Sequence, residues 1–335
     1  MKFYLFILLS SFILSCNSTQ NIKDNKKTNV EYSNSITASN LEKLLYIYAG
    51  DEMEGRMTGT PGQRKASEFI RNYYIENGIK SPLGESYFQP IPGDYFNGYT
   101  KGNPSENVLA YIEGSVYPEE VIVITSHLDH VGTDAKGNIY NGADDDGSGT
   151  VAMMEMANAF QKAVNDGYRP KRSILFLHVT GEEIGLFGSR YYVENPIFPL
   201  ENTVCNLNID MIGRIDPDKS DNPNYLYLIG SNMLSQELQD VSEAVNEKHT
   251  KLELDYKFDA PDDPNRFYYR SDHYNFAKNG IPVIFYFNGV HEDYHKMTDT
   301  PDKIEYELLA NRTKLIFLTA WEIANQDNRL SVDGK

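Results

Sequence analysis

The stretch Val121-Ile122-Val123-Ile124-Thr125-Ser126-His127-Leu128-Asp129 decides the architecture. Four β-branched apolar residues in a row, without polar alternation, describe a strand buried on both faces, as in a parallel sheet. At its carboxyl end stand His127 and Asp129. That is where open α/β sheets bind ligands.

On either side of this strand the chain alternates between strand and helix patterns. Helices are expected over 41–48, 61–77, 148–163, 185–193, 233–248, 272–278 and 303–325, and strands over 107–112, 120–125, 173–179, 204–209, 225–229, 252–256 and 283–287. Such alternation predicts a single three-layer α/β domain, its mixed, mostly parallel central sheet covered by helices on both faces.

Four more segments repeat the arrangement of the first, each carrying a metal-ligating side chain. They are Gly142-Ala143-Asp144-Asp145-Asp146-Gly147, Thr180-Gly181-Glu182-Glu183, Leu207-Asn208-Ile209-Asp210 and Tyr294-His295. The last three follow the strands at 173–179, 204–209 and 283–287, so the motifs converge on one sheet edge. Two-metal hydrolysis needs two imidazoles, a carboxylate placed to bridge, two terminal carboxylates and one free carboxylate as a base. The inventory is complete. Asp129, two residues after His127, is placed to accept that imidazole's second N–H.

The formal charge of −17 argues against nucleic acid or an anionic membrane face as partner. Met1-Lys2-Phe3 followed by an apolar run to Leu14 reads as a signal peptide over residues 1–15, too short to span a bilayer comfortably. Ile13-Leu14-Ser15-Cys16 resembles a bacterial lipoprotein box, which makes Cys16 the lipid-bearing mature N-terminus and places the protein in the cell envelope, held to a membrane only by that anchor. Residues 16–38 are expected to be a flexible tether, because they offer few large apolar side chains. Residues 39–330 form the expected catalytic domain. Cys205 then has no disulfide partner and is expected in the core.

Together the motifs, and the flanking Gly55-Arg56-Met57-Thr58-Gly59-Thr60-Pro61-Gly62 and Asp299-Thr300-Pro301-Asp302, resemble the dinuclear zinc aminopeptidases. Their zinc exopeptidase superfamily also holds glutamate carboxypeptidase and glutaminyl cyclase. The resemblance implies that fold, peptide substrates and two zinc ions. It implies that His127 and Asp210 bind one ion, Glu183 and His295 the other, and that Asp144 bridges them, with a cis peptide between Asp144 and Asp145. Glu182 is then the general base. Adjacent carboxylates in a tight turn cannot both point at one ion, which suits a base beside a ligand. Cobalt or manganese would also accept these nitrogen and oxygen donors.

Each motif also has a plainer reading. Asp144-Asp145-Asp146 could cap the next helix through Asp146 or Ser148, and its acidic spacing approaches a calcium loop, although Asn138-Ile139-Tyr140 before it is not helical. Glu182-Glu183 could be a solvated helix start. His178 alternates into an apolar strand as a core histidine, His130 reads as a residue beside the site, and His249 and His291 carry no signal. Ser271-Asp272-His273 cannot form a serine triad, since consecutive residues cannot adopt that geometry. Tyr268, Tyr269, Phe287 and Tyr294 are candidate walls for an apolar substrate side chain. Arg190, Arg214 and Arg270 keep a carboxypeptidase or dipeptidase open, because arginine suits carboxylate recognition. A glutaminyl cyclase is disfavoured by Asp145-Asp146-Gly147-Ser148-Gly149 after Asp144 and by Tyr294, where that branch carries tryptophan. A non-catalytic tethered binding lipoprotein is disfavoured because no ligand or base is missing.

Overall fold

Eight strands form one sheet: β1 (Phe88–Ile91), β2 (Ser105–Ile112), β3 (Tyr117–His127), β4 (Arg172–Val179), β5 (Thr203–Ile209), β6 (Tyr225–Ile229), β7 (Glu253–Asp255) and β8 (Val283–Phe287). The computed structural model describes residues 28–260 and 262–333. The strand order is β1-β2-β4-β3-β5-β8-β6-β7. The central strands β4, β3, β5 and β8 run parallel, while β2 and β6 flank them antiparallel. The sheet is thus mixed, with a parallel centre.

The period of two sorts the β3 side chains onto opposite faces. Ile122 and Ile124 join a core built with α2 (Ala38–Tyr48), α3 (Pro61–Glu76), α4 (Gly149–Asn165), α6 (Gln236–Val245) and α8 (Tyr306–Asn325). Val121 and Val123 join the opposite core, under α5 (Phe187–Glu194) and α7 (His273–Ala277). Each such fully buried aliphatic side chain stabilises the fold by roughly 1.5–3 kcal/mol. Cys205 is buried in the first core. No described helix is long and apolar enough to cross a membrane.

The segment before α2 departs from expectation. Residues 28–38 are folded, with α1 at Asn29–Ser33 capped by Thr28 and Glu31. Tyr32 stacks on Trp321 at a centroid distance of 5.8 Å, and Ile36 is fully buried. Two well-placed apolar side chains anchor a stretch whose average composition is polar. The signal peptide, Cys16 and the rest of the tether lie outside the described residues.

Candidate metal centre

Parallel strands release their chains at a common edge, and four of them do so here. His127 ends β3, Glu182 and Glu183 follow β4, Asp210 follows β5, and His295 lies beyond β8. The loop between β3 and α4 returns the triple aspartate to the same edge.

Asp145 is the carboxylate that stands between the two halves. Its Oδ1 lies 3.2 Å from His127 Nε2, which is 3.7 Å from Asp210 Oδ1. Its Oδ2 lies 3.0 Å from His295 Nε2, which is 3.1 Å from Glu183 Oε2. Asp144, expected as the bridge, turns the other way: its Oδ1 accepts the Gly213 N–H at 2.6 Å, and its Oδ2 lies 3.2 Å from His291 Nε2. The cis peptide likewise joins Asp145 to Asp146, one step beyond the expected bond.

Tertiary contacts make this choice among three like residues. The Asp299 carboxylate accepts the backbone N–H groups of Asp144 and Asp145. Asp146 turns back into the protein and accepts the N–H groups of His127, Met211 and Gly149 at 3.2, 3.1 and 3.0 Å. It therefore joins β3 and the end of β5 and also takes the N–H of Gly149, the first residue of α4. Gly149 admits this contact, because a Cβ there would stand 2.4 Å from Asp146 Oδ1. Buried Arg56 donates to the carbonyls of Asn141, Gly142 and Leu128, strapping the loop to the segment after His127.

The donors fit metal ions: His127, Asp145 and Asp210 converge in one group, and in the other Asp145 and Glu183 are met by both His130 and His295. Asp145 Oδ2 is buried and makes no hydrogen bond although His295 Nε2 is 3.0 Å away. Lone-pair donors bound about 2.0–2.2 Å from a shared tetrahedral ion stand roughly 3.3 Å apart. Burial lowers the pKa of His295, but Asp145 and Glu183 overcome it and raise the imidazole to about 10. That same carboxylate field favours a bound cation.

Glu182 contributes to the cleft wall beside His127, Asp145 and Asp210. Burial, with the nearby Asp210 and Glu183 carboxylates, holds its pKa well above the usual range against the pull of His127. The Asp129 carboxylate grips this segment, accepting the Glu182 N–H at 3.2 Å and the Thr58 hydroxyl at 2.8 Å. His127 Nδ1 meets the Asp129 backbone carbonyl at 3.0 Å, with the Asp129 carboxylate at 3.9 Å. Asp129 thus orients His127, through its main chain and not through the side chain expected to do so.

Asp210 is positioned by a chain of hydrogen bonds absent from the sequence reading. Thr125 donates to Asn208, Asn208 to Ser271, and Ser271 Oγ to Asp210 Oδ2 at 2.6 Å. Ser271 Oγ is thus engaged by Asp210 and Asn208 and not by a histidine base. Its neighbour Asp272 is held by Ser189, and the His273 ring packs on Phe285. His178 takes the Tyr74 hydroxyl in the core, as expected.

The cleft is walled by Met211, Phe267, Phe285, Phe287, Val290 and Tyr294. Of the expected walls, Phe287 and Tyr294 are present. Tyr268 and Tyr269 instead pack against each other and Tyr274. Of the three arginines, only Arg270 reaches the cleft. Arg214 is taken by Asp293 at 2.9 Å, and Arg190 by the Tyr95 hydroxyl and the Phe187 ring.

The profile of Peptidase family M28 matches residues 107–320, a span that contains every one of these donors. The chain belongs to peptidase family M28. It is a zinc-dependent metallopeptidase. A probable zinc metalloprotease of Pyrenophora tritici-repentis is 29% identical over 342 residues, covering 86% of this chain and 67% of that protein. A probable leucine aminopeptidase 2 of Aspergillus oryzae is 30% identical over 252 residues, covering 67% of this chain and 45% of that one. The solved aminopeptidase of Aneurinibacillus sp. strain AM-1 shares the fold, with a TM-score of 0.68 at 16% identity over 92% of this chain and 98% of its own.

Proposed function

We propose that the protein is a two-zinc aminopeptidase that removes N-terminal residues bearing apolar side chains. The observation that carries this reading is the pair of Asp145 oxygens, each addressed by a separate imidazole: Oδ1 by His127 and Oδ2 by His295. His127, Asp145 and Asp210 would hold one ion, and Asp145, Glu183 and His295 the other. The pair would supply Lewis-acid activation of a water and of the scissile carbonyl. Glu182 accepts the proton of the attacking water at its carboxylate and returns it to the leaving amine. Phe285, Phe287 and Met211 exclude solvent from the substrate side chain. The apolar wall of Met211, Phe267, Phe285, Phe287 and Val290 lies directly beside the metal-ligand set, which supports the placing of one apolar side chain next to the scissile bond.

The bacterial lipoprotein box at Ile13–Cys16 supports export and a lipid anchor as part of the same proposal. The test of the activity is mass spectrometry of a mixed peptide pool containing free, N-acetylated and N-terminal glutamine peptides, with zinc or with chelator. Stepwise N-terminal loss, blocked by acetylation and by chelator, is expected. Ammonia loss confined to the glutamine peptides, or trimming from the carboxyl end, would overturn the reading.

A further inference from the structure

Arg270 is an exposed cation on the rim of a cleft otherwise walled by carboxylates, imidazole and apolar side chains. Its main chain is fixed, because the next residue, Ser271, donates to Asp210 and receives Asn208. Its guanidinium lies 5.0 Å from the centroid of the Phe267 ring, a contact that satisfies no N–H with an oxygen acceptor. Among the described residues it makes no ion pair, although acidic residues outnumber Lys and Arg in this chain by 48 to 31. A planar donor set kept unpaired beside the reacting centre is suited to a carboxylate that arrives with the substrate.

We propose that Arg270 binds a substrate carboxylate, making short peptides with a carboxylate just beyond the scissile bond the favoured class. This rests on the aminopeptidase reading and adds to it. The carboxylate has two sources: the free C-terminus of a dipeptide, or an acidic side chain in the second residue. In a chain of formal charge −17, an anionic substrate is repelled at long range, so a local cation is needed to make the charge an advantage.

The experiment measures kcat and KM of the zinc-loaded full chain and of Arg270→Gln and Arg270→Lys on four substrates: Leu-Gly, Leu-Gly amide, Leu-Glu amide and Leu-Gln amide. The wild type is expected to favour Leu-Gly over its amide, or Leu-Glu amide over Leu-Gln amide, by roughly tenfold or more in kcat/KM, carried mainly by KM. Which pair shows the preference identifies the source. Arg270→Gln should bring that ratio close to one, and Arg270→Lys should restore part of it. Equal ratios in the wild type and Arg270→Gln would overturn the role of Arg270 while leaving the aminopeptidase intact. No turnover of any of the four would overturn the aminopeptidase reading and the proposal with it.

Discussion

His130 Nδ1 lies 2.8 Å from Glu183 Oε1, while the other oxygen of that carboxylate faces His295. The imidazole thus grips one oxygen and leaves its partner free for a cation. His130 is itself buried against Gly142, where a Cβ would stand 2.5 Å from the His130 ring. A rigid support of this kind fixes the direction of a ligand's lone pair.

Replacing His130 with alanine should therefore weaken zinc binding at the Glu183 half of the centre by about 10–100-fold, the usual effect of removing such a support. Competition with a chromogenic chelator would show one tight and one weakened zinc per chain. Unchanged affinity for both would mean that His130 only fills space.

Asp144 and Asp145 are adjacent carboxylates with separable roles. Asp145→Ala should lower the bound zinc from two to one or fewer per chain, measured by elemental analysis after dialysis. Asp144→Asn keeps an oxygen for the Gly213 N–H and should retain both ions. The reverse pattern would restore Asp144 as the bridge.

Glu182→Gln would remove the proton acceptor proposed above while preserving shape and the backbone bond to Asp129. Turnover should fall by roughly 10²–10⁴-fold, the range attributed to a positioned acid–base group. Zinc content should stay at the wild-type value. A variant that loses zinc together with activity would show that Glu182 serves the metals and not the proton.

Much of the centre was legible because each parallel strand ends in its own short motif. Strands 225–229 and 283–287 were readable to the residue, since apolar runs bounded by turns leave little choice of register. The identity of the bridge was not. Three consecutive aspartates look alike in sequence, and Asp299, far along the chain, decides which of them faces the cleft. His291 likewise has no sequence signal, because its partner Asp144 is met only through the fold. Strand β1 was missed because Phe88-Gln89-Pro90-Ile91 contains a proline that only an edge strand tolerates.

Two buried histidines make the fold sensitive to acid. His178 and His273 are both buried, and burial brings each pKa down to about 3, outweighing a backbone contact from Tyr268 at His273. An unfolded histidine titrates near 6.5. As the pH falls below that value the unfolded chain takes up a proton at each site and the folded chain does not, so stability is full above pH 6.5 and is lost as the pH falls towards 3. The cost is about 1.4 kcal/mol per pH unit for each histidine. His273→Phe keeps the ring stacked on Phe285 and removes one of the two titrations. In urea unfolding of the chelated protein at pH 7, 6 and 5, the variant should gain on the wild type by about 1.4 kcal/mol for each unit below 6.5. Parallel curves would show that His273 is protonated in the folded state.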